Sequence, residues 1–116
     1  MLNIHNDPFR TLFKAINNLY PDIKCRIQVD PAIKAPFRVF GKRLWGICGY
    51  TFWPSDGSTT EVRVSAHIPY VRAVEITAHE VAHVVAGPKA KHGDKWEEAF
   101  QAIHQECMRL TEEGSQ

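Results

Sequence analysis

Residues 69–97 read PYVRAVEITAHEVAHVVAGPKAKHGDKWE, and the fold is decided here. Val74, Ala78, Val81, Ala82 and Val85 recur at helical spacing, so residues 71–86 are expected to form an amphipathic helix with these side chains inward. Pro69-Tyr70 leads into it. Gly87-Pro88 closes it, as a C-terminal glycine followed by proline should. A loop follows. Asp94 then opens a last helix, with Glu97 completing a capping box. Trp96, Phe100, Ile103, Cys107 and Leu110 mark the buried face of that helix, and the polar tail Thr111–Gln116 is expected to fray.

Upstream, the pattern changes period. Val62, Val64, Ala66 and Ile68 alternate with polar residues, which predicts a half-buried strand over 61–68. Pro54-Ser55-Asp56-Gly57-Ser58 is turn chemistry, so this strand and the aromatic, glycine-rich stretch Leu44 to Trp53 are expected to pair as an antiparallel hairpin. Phe37 to Phe40 is a short apolar run, and Cys25, Ile27 and Val29 alternate as another strand. At the start, Asp7 reads as an N-cap and Pro8 as the first helical residue. Phe9, Leu12, Phe13, Ile16 and Tyr20 keep helical spacing until Pro21 ends the run. The expected fold class is α+β in one domain. It comprises an N-terminal helix, a small, mainly antiparallel sheet of three or four strands, the 71–86 helix and a C-terminal helix packed on it.

The 71–86 helix carries His79-Glu80-Val81-Ala82-His83. Residues four apart on a helix lie ~40° apart around the axis and ~6 Å along it, so both imidazoles can reach one metal ion. Glu80 flanks that position from the side, where a base acting on a metal-bound water belongs. A random shuffle of this composition yields about 0.02 such motifs, and this one falls on a helix inferred from other residues. A catalytic metal site of this type takes three protein ligands and leaves one position open. His92 is the candidate third ligand. Pro88 to Lys91 separate it from Gly87, and that stretch, extended, covers over ~10 Å, enough to double back. The third ligand of a metzincin would stand six residues after the second; here the histidine stands nine after. Glu97 or Glu98 is the alternative third ligand.

HEVAHVVAGPKAKHGDKW, residues 79–96, resembles the zinc signature of the SprT-like metalloproteases, HExxH followed by a short loop and HGxxW or HGxxF. The order upstream is also similar: a helix, strands with the segment Gly46-Ile47-Cys48-Gly49-Tyr50, then Val62-Arg63-Val64-Ser65 running into the motif helix. The likeness spans roughly residues 9–110, and its specific part is 79–96. The resemblance implies a minimal zincin-like domain with Zn2+ on His79, His83 and His92, Glu80 as catalytic base, and Trp96 buttressing the last helix. It implies a peptidase related to the Spartan-type proteases that cut proteins cross-linked to DNA. The sequence departs from the family in a shorter loop between His83 and His92 and in lacking a cysteine zinc ribbon, a stripped-down form such as phage or mobile-element genomes carry.

The remaining features frame that reading. No run approaches the ~18 apolar residues of a membrane span, and the first residues lack the pattern of a secretory signal. Cys25, Cys48 and Cys107 are an odd, scattered set that fits small core hydrophobes in a reducing cytoplasm rather than a disulfide framework. Residues 1–43 carry a net charge of +5 and residues 44–116 a net charge of −4. Arg38, Lys42, Arg43 and Trp45, among Phe37, Phe40, Tyr50 and Trp53, are therefore candidate contacts to single-stranded DNA; a solvated surface over an aromatic core is the competing reading. Glu75 lies one turn before His79 and could orient an imidazole or simply be solvated, and Asp94 could do the same besides capping. His67 borders a substrate groove or is an exposed strand residue, His104 is expected at the core edge, and His5 in a loose terminus. Two rival functions stand beside the peptidase. One is a zinc-stabilised module that binds DNA or protein without catalysis; the other is a zinc hydrolase acting on a non-peptide bond.

Overall fold

The computed structural model describes residues 7–33, 37–39, 42–44 and 48–114. The order of elements is α1 (Pro8–Leu19), β1 (Cys25–Asp30), β2 (Phe37–Val39), β3 (Lys42–Leu44), β4 (Gly49–Phe52), β5 (Thr60–Ser65), α2 (Tyr70–Ala86) and α3 (Asp94–Gly114). The α+β expectation holds. Among the described residues, no helix is long and apolar enough to cross a membrane.

Local chemistry sets the helix ends. The Asp7 carboxylate accepts from the Phe9 N–H at 3.0 Å, and Pro8 occupies the first turn, where its missing N–H costs nothing. Tyr70 donates its hydroxyl to the same carboxylate, which ties the starts of α1 and α2 together. α2 ends at Gly87, whose φ of 94° is open to glycine and strained for other residues; its N–H donates to the His83 carbonyl at 2.9 Å. The start of α3 differs from expectation. The Gly93 carbonyl accepts from the Glu97 N–H at 3.0 Å, so Gly93 occupies the cap position and Asp94 is the first helical residue. Asp94 and Glu97 place their charges at the positive end of the helix dipole instead of forming a capping box. The tail does not fray at Thr111, and α3 runs on to Gly114. Arg109 extends the last turns by pairing with Glu106 and with Glu113 at 2.7 Å. Glu106 also accepts from Asn18 of α1 at 3.1 Å; Arg109 and then Asn18 hold its carboxyl down at about 2.

The sheet corrects the sequence reading in two ways. It is mixed, in the order β1-β5-β4: β4 pairs antiparallel with β5, as the turn predicted, but β1 pairs parallel with β5. Alternation reports which residues face inward, and it carries no information on which strand lies beside which. Asp30 and Arg63 link the parallel pair at 3.0 Å. β2 and β3 form a separate two-stranded antiparallel ladder. The second correction is the end of β5. The strand stops at Ser65, and Ala66 is exposed. The Ser65 hydroxyl accepts from the His67 N–H at 3.0 Å and donates to the Ile33 carbonyl at 2.7 Å, which turns the chain where alternation alone would continue it.

Two apolar clusters join these layers. Leu12 and Ile16 of α1, Val81 and Ala82 of α2, and Ala99 and Ile103 of α3 pack among the three helices. Val62 and Val64 of β5 pack with Ala73 beneath α2. Burying a side chain such as Leu12, Ile103 or Val62 contributes about 1.5–3 kcal/mol. Between sheet and helix, Gly49 permits the closest approach. A Cβ there would stand 2.7 Å from Ile76 Cγ2 and 2.9 Å from the Arg63 carbonyl oxygen. Gly49→Ala is therefore expected to destabilise the protein by about 1–3 kcal/mol, because backbone on one side cannot yield. Urea unfolding of the two proteins measures it, and equal midpoints would show that β4 is free to shift away from α2.

Candidate metal centre

α2 brings His79 and His83 onto one face, and their ring centroids lie 5.0 Å apart. The loop after Gly87 returns His92 to the same place. Two short hydrogen bonds shape that loop, from the Ala90 N–H to the Gly87 carbonyl at 3.2 Å and from the Gly93 N–H to the Ala90 carbonyl at 3.0 Å. Lys91, immediately before His92, takes a φ of 50°, a left-handed conformation uncommon outside glycine. The three rings converge through their ε-nitrogens. His92 Nε2 lies 3.1 Å from His83 Nε2 and 3.2 Å from His79 Nε2. Nitrogens sharing a tetrahedral ion at 2.0–2.1 Å are spaced about 3.3 Å from one another, so the observed separations match the edges of such a site. His79, His83 and His92 thus lie close enough to hold one metal ion.

Electrostatics suit that role. Burial pushes the imidazoles of His79 and His83 below their ordinary value, against the opposing pull of the nearby Glu80 carboxylate. Both are therefore neutral at neutral pH, which is the form that ligates metal. Glu97 and Glu98, the alternative third ligands, are exposed and do not join the three histidines. Glu75 pairs instead with Arg72 at 3.2 Å, and Asp94 stands in the first turn of α3.

Trp96 does more than fill core. Its Nε1–H donates to the His79 carbonyl at 3.1 Å, and its ring lies 4.9 Å from those of His79 and His92. It also stacks on Phe100 at 5.2 Å. One α3 side chain thus holds the backbone of His79 and lies against the ring of His92.

Glu80 is 9% exposed and sits on the sheet-facing side of α2. Its Oε1 accepts from the Thr51 hydroxyl of β4 at 2.8 Å, and its own carbonyl oxygen lies 3.2 Å from the same hydroxyl. Two open hollows, of about 330 and 410 Å³, meet at Glu80 and Gly49. The first adds Cys48, Arg72, Glu75, Ile76, His79 and Phe100. The second is lined by Thr51, Trp53, His83, Pro88 and Lys91, among others. β4 runs between them as an edge strand, paired on one side with β5 and, among the described residues, with no strand on the other.

Sequence reasoning missed Thr51. Nothing in a four-residue strand, Gly49-Tyr50-Thr51-Phe52, marks one threonine as the partner of a residue 29 positions away. Other sequence candidates lie elsewhere. His67 bonds the Pro31 carbonyl at 2.7 Å, and His104 is exposed instead of lying at the core edge. Cys25, Cys48 and Cys107 are free thiols, each half-buried, and burial pushes Cys25 up to about 11. Arg38 stands in β2, and Lys42 and Arg43 in β3; Trp45 and His5 lie outside the described residues. Comparison of the chain with family models, curated proteins and solved structures gave no match.

Proposed function

We propose that the protein is a zinc-dependent metallopeptidase with His79, His83 and His92 as ligands and Glu80 as general base. The observation that carries this is the convergence of three ε-nitrogens at tetrahedral spacing beside a buried carboxylate. Zinc bound there would supply a Lewis acid for the scissile carbonyl and a water acidic enough to lose its proton near neutral pH. Glu80 takes that proton on the carboxylate oxygen that Thr51 leaves free, then delivers it to the leaving amine. The open edge of β4 can hydrogen-bond an extended peptide as an added strand, and the two hollows beside it accept the side chains flanking the scissile bond. A purely structural site has no use for a carboxylate held in this way, which favours hydrolysis over a zinc-stabilised binding module. Casein digestion by zinc-loaded protein, abolished by chelation and restored by zinc, is the test. Zinc-loaded, folded protein that leaves casein intact would overturn the reading.

The resemblance of residues 79–96 to SprT-like proteases extends the proposal to proteins associated with single-stranded DNA. The β2–β3 ladder supports it, since Arg38 is the direct partner of Arg43 and Lys42 is adjacent. Fluorescence anisotropy should show salt-sensitive binding of a labelled oligonucleotide, with a log–log slope of about −0.7 for each phosphate contacted. Binding unchanged when Arg38, Lys42 and Arg43 are all replaced by Ala would assign these cations to solvent.

A further inference from the structure

We propose that Thr51 is the positioning residue of the proton-transfer carboxylate, its hydroxyl holding one oxygen of Glu80 so that the other faces the reacting water. The inference rests on the peptidase reading and adds to it a residue that neither the motif nor the helix supplies.

Glu80 reaches the groove on a side chain with three rotatable bonds, at a point where two hollows meet. Nothing in helical geometry fixes the plane of its carboxylate. The Thr51 hydroxyl does, at 2.8 Å from Oε1 and 3.2 Å from the carbonyl oxygen of the same residue. Because the hydroxyl lies against both backbone and side chain of Glu80, it sets the carboxylate relative to the helix axis. Among the described residues it is the one side-chain donor to Glu80.

The strand supports this role. Thr51 is the register partner of Val62, and Gly49 that of Val64, so both occupy the face of β4 that packs on α2. Gly49 removes the Cβ that would hold the strand away: built there, it would stand 2.7 Å from Ile76 Cγ2 on α2. A β-branched residue on a strand is stiff at χ1, so the backbone of β4 aims the Thr51 oxygen. Packing does not require that oxygen. Valine fills the same volume, has the same strand preference, and is the residue used at the neighbouring inward positions 62 and 64. The hydroxyl is explained by its bond to Glu80.

The test compares Thr51→Val and Thr51→Ser with wild type, each loaded with zinc. In Thr51→Val, kcat on a peptide substrate should fall about 10–100-fold, the scale of loss for a displaced catalytic group. KM should stay within about threefold and bound zinc should be unchanged, because uniform binding and the ligands are untouched. Thr51→Ser keeps the donor and should recover most of kcat. A second readout needs no activity. Thermal unfolding of metal-free wild type, Thr51→Val, Glu80→Ala and the double variant should be non-additive. Unchanged kcat in Thr51→Val, parallel loss of zinc, failure of serine to rescue, or an additive unfolding cycle each overturns the proposal. A wild type inactive on casein would overturn the peptidase reading instead, and the unfolding cycle would still decide on the tether.

Discussion

Glu80→Gln should lower peptide hydrolysis by about 10²–10⁴-fold while zinc binding and the melting temperature stay close to wild type. The expectation follows from what the amide keeps and what it loses. Glutamine has the length of glutamate, and its carbonyl oxygen can still accept from Thr51, so the contact between α2 and β4 persists. His79 and His83 keep their half-buried places on α2, and His92 is held by its own loop. The amide nitrogen cannot take a proton from water at neutral pH, so the lost step is proton transfer and nothing upstream of it. Hydrolysis rates measured beside zinc content separate the outcomes. If the variant loses zinc along with activity, the carboxylate is part of the metal site's structure and the general-base role is wrong. If it keeps both, the proton goes elsewhere.

The candidate metal ligands were legible in the sequence because their geometry is local. His79 and His83 are one helical turn apart, and the helix could be inferred from valines and alanines that have no part in the chemistry. His92 was reachable by a length argument across a short loop. What positions Glu80 was not legible, because Thr51 reaches it only through the register of β4 on β5 and the approach that Gly49 permits. The sheet topology failed for a related reason. Val62 and Val64 report that β5 is buried on one face, but Cys25 and Ile27 would read the same in a parallel or an antiparallel neighbour. The ends of α3 and β5 turned on single hydrogen bonds, the Gly93 carbonyl in one case and the Ser65 hydroxyl in the other. Either could have been weighed from residue type, and neither is implied by hydrophobic periodicity.

Removing the metal should lower the thermal midpoint by roughly 10–20 °C, without unfolding the helices at room temperature. The core among α1, α2 and α3 owes nothing to the ligands: Leu12, Val81, Ala82, Ala99 and Ile103 bury themselves against one another whether or not an ion is present. The loop from Gly87 to Gly93 has no such support. His92 is exposed, Lys91 is in a left-handed conformation, and two short backbone bonds hold the turn. An ion held by three imidazoles links that loop to α2. At about a thousandfold excess over its dissociation constant it adds about 4 kcal/mol to stability, which sets the size of the shift. Acid should act in the same direction as a chelator. Burial lowers His79 and His83 in the folded chain, so the unfolded chain takes up protons at these rings at a higher pH than the folded one. Stability of the metal-free protein therefore falls as pH drops below the ordinary imidazole value, and protonation competes with the metal for the same nitrogens. His92→Ala isolates the metal's share most directly, because it removes one candidate ligand from a surface loop and, beyond an edge contact with the Trp96 ring, no packing. Its midpoint should match that of chelated wild type and should no longer respond to chelator. Equal midpoints for loaded and chelated wild type would mean that α2 and α3 are held together by packing alone, with the loop contributing nothing to the fold.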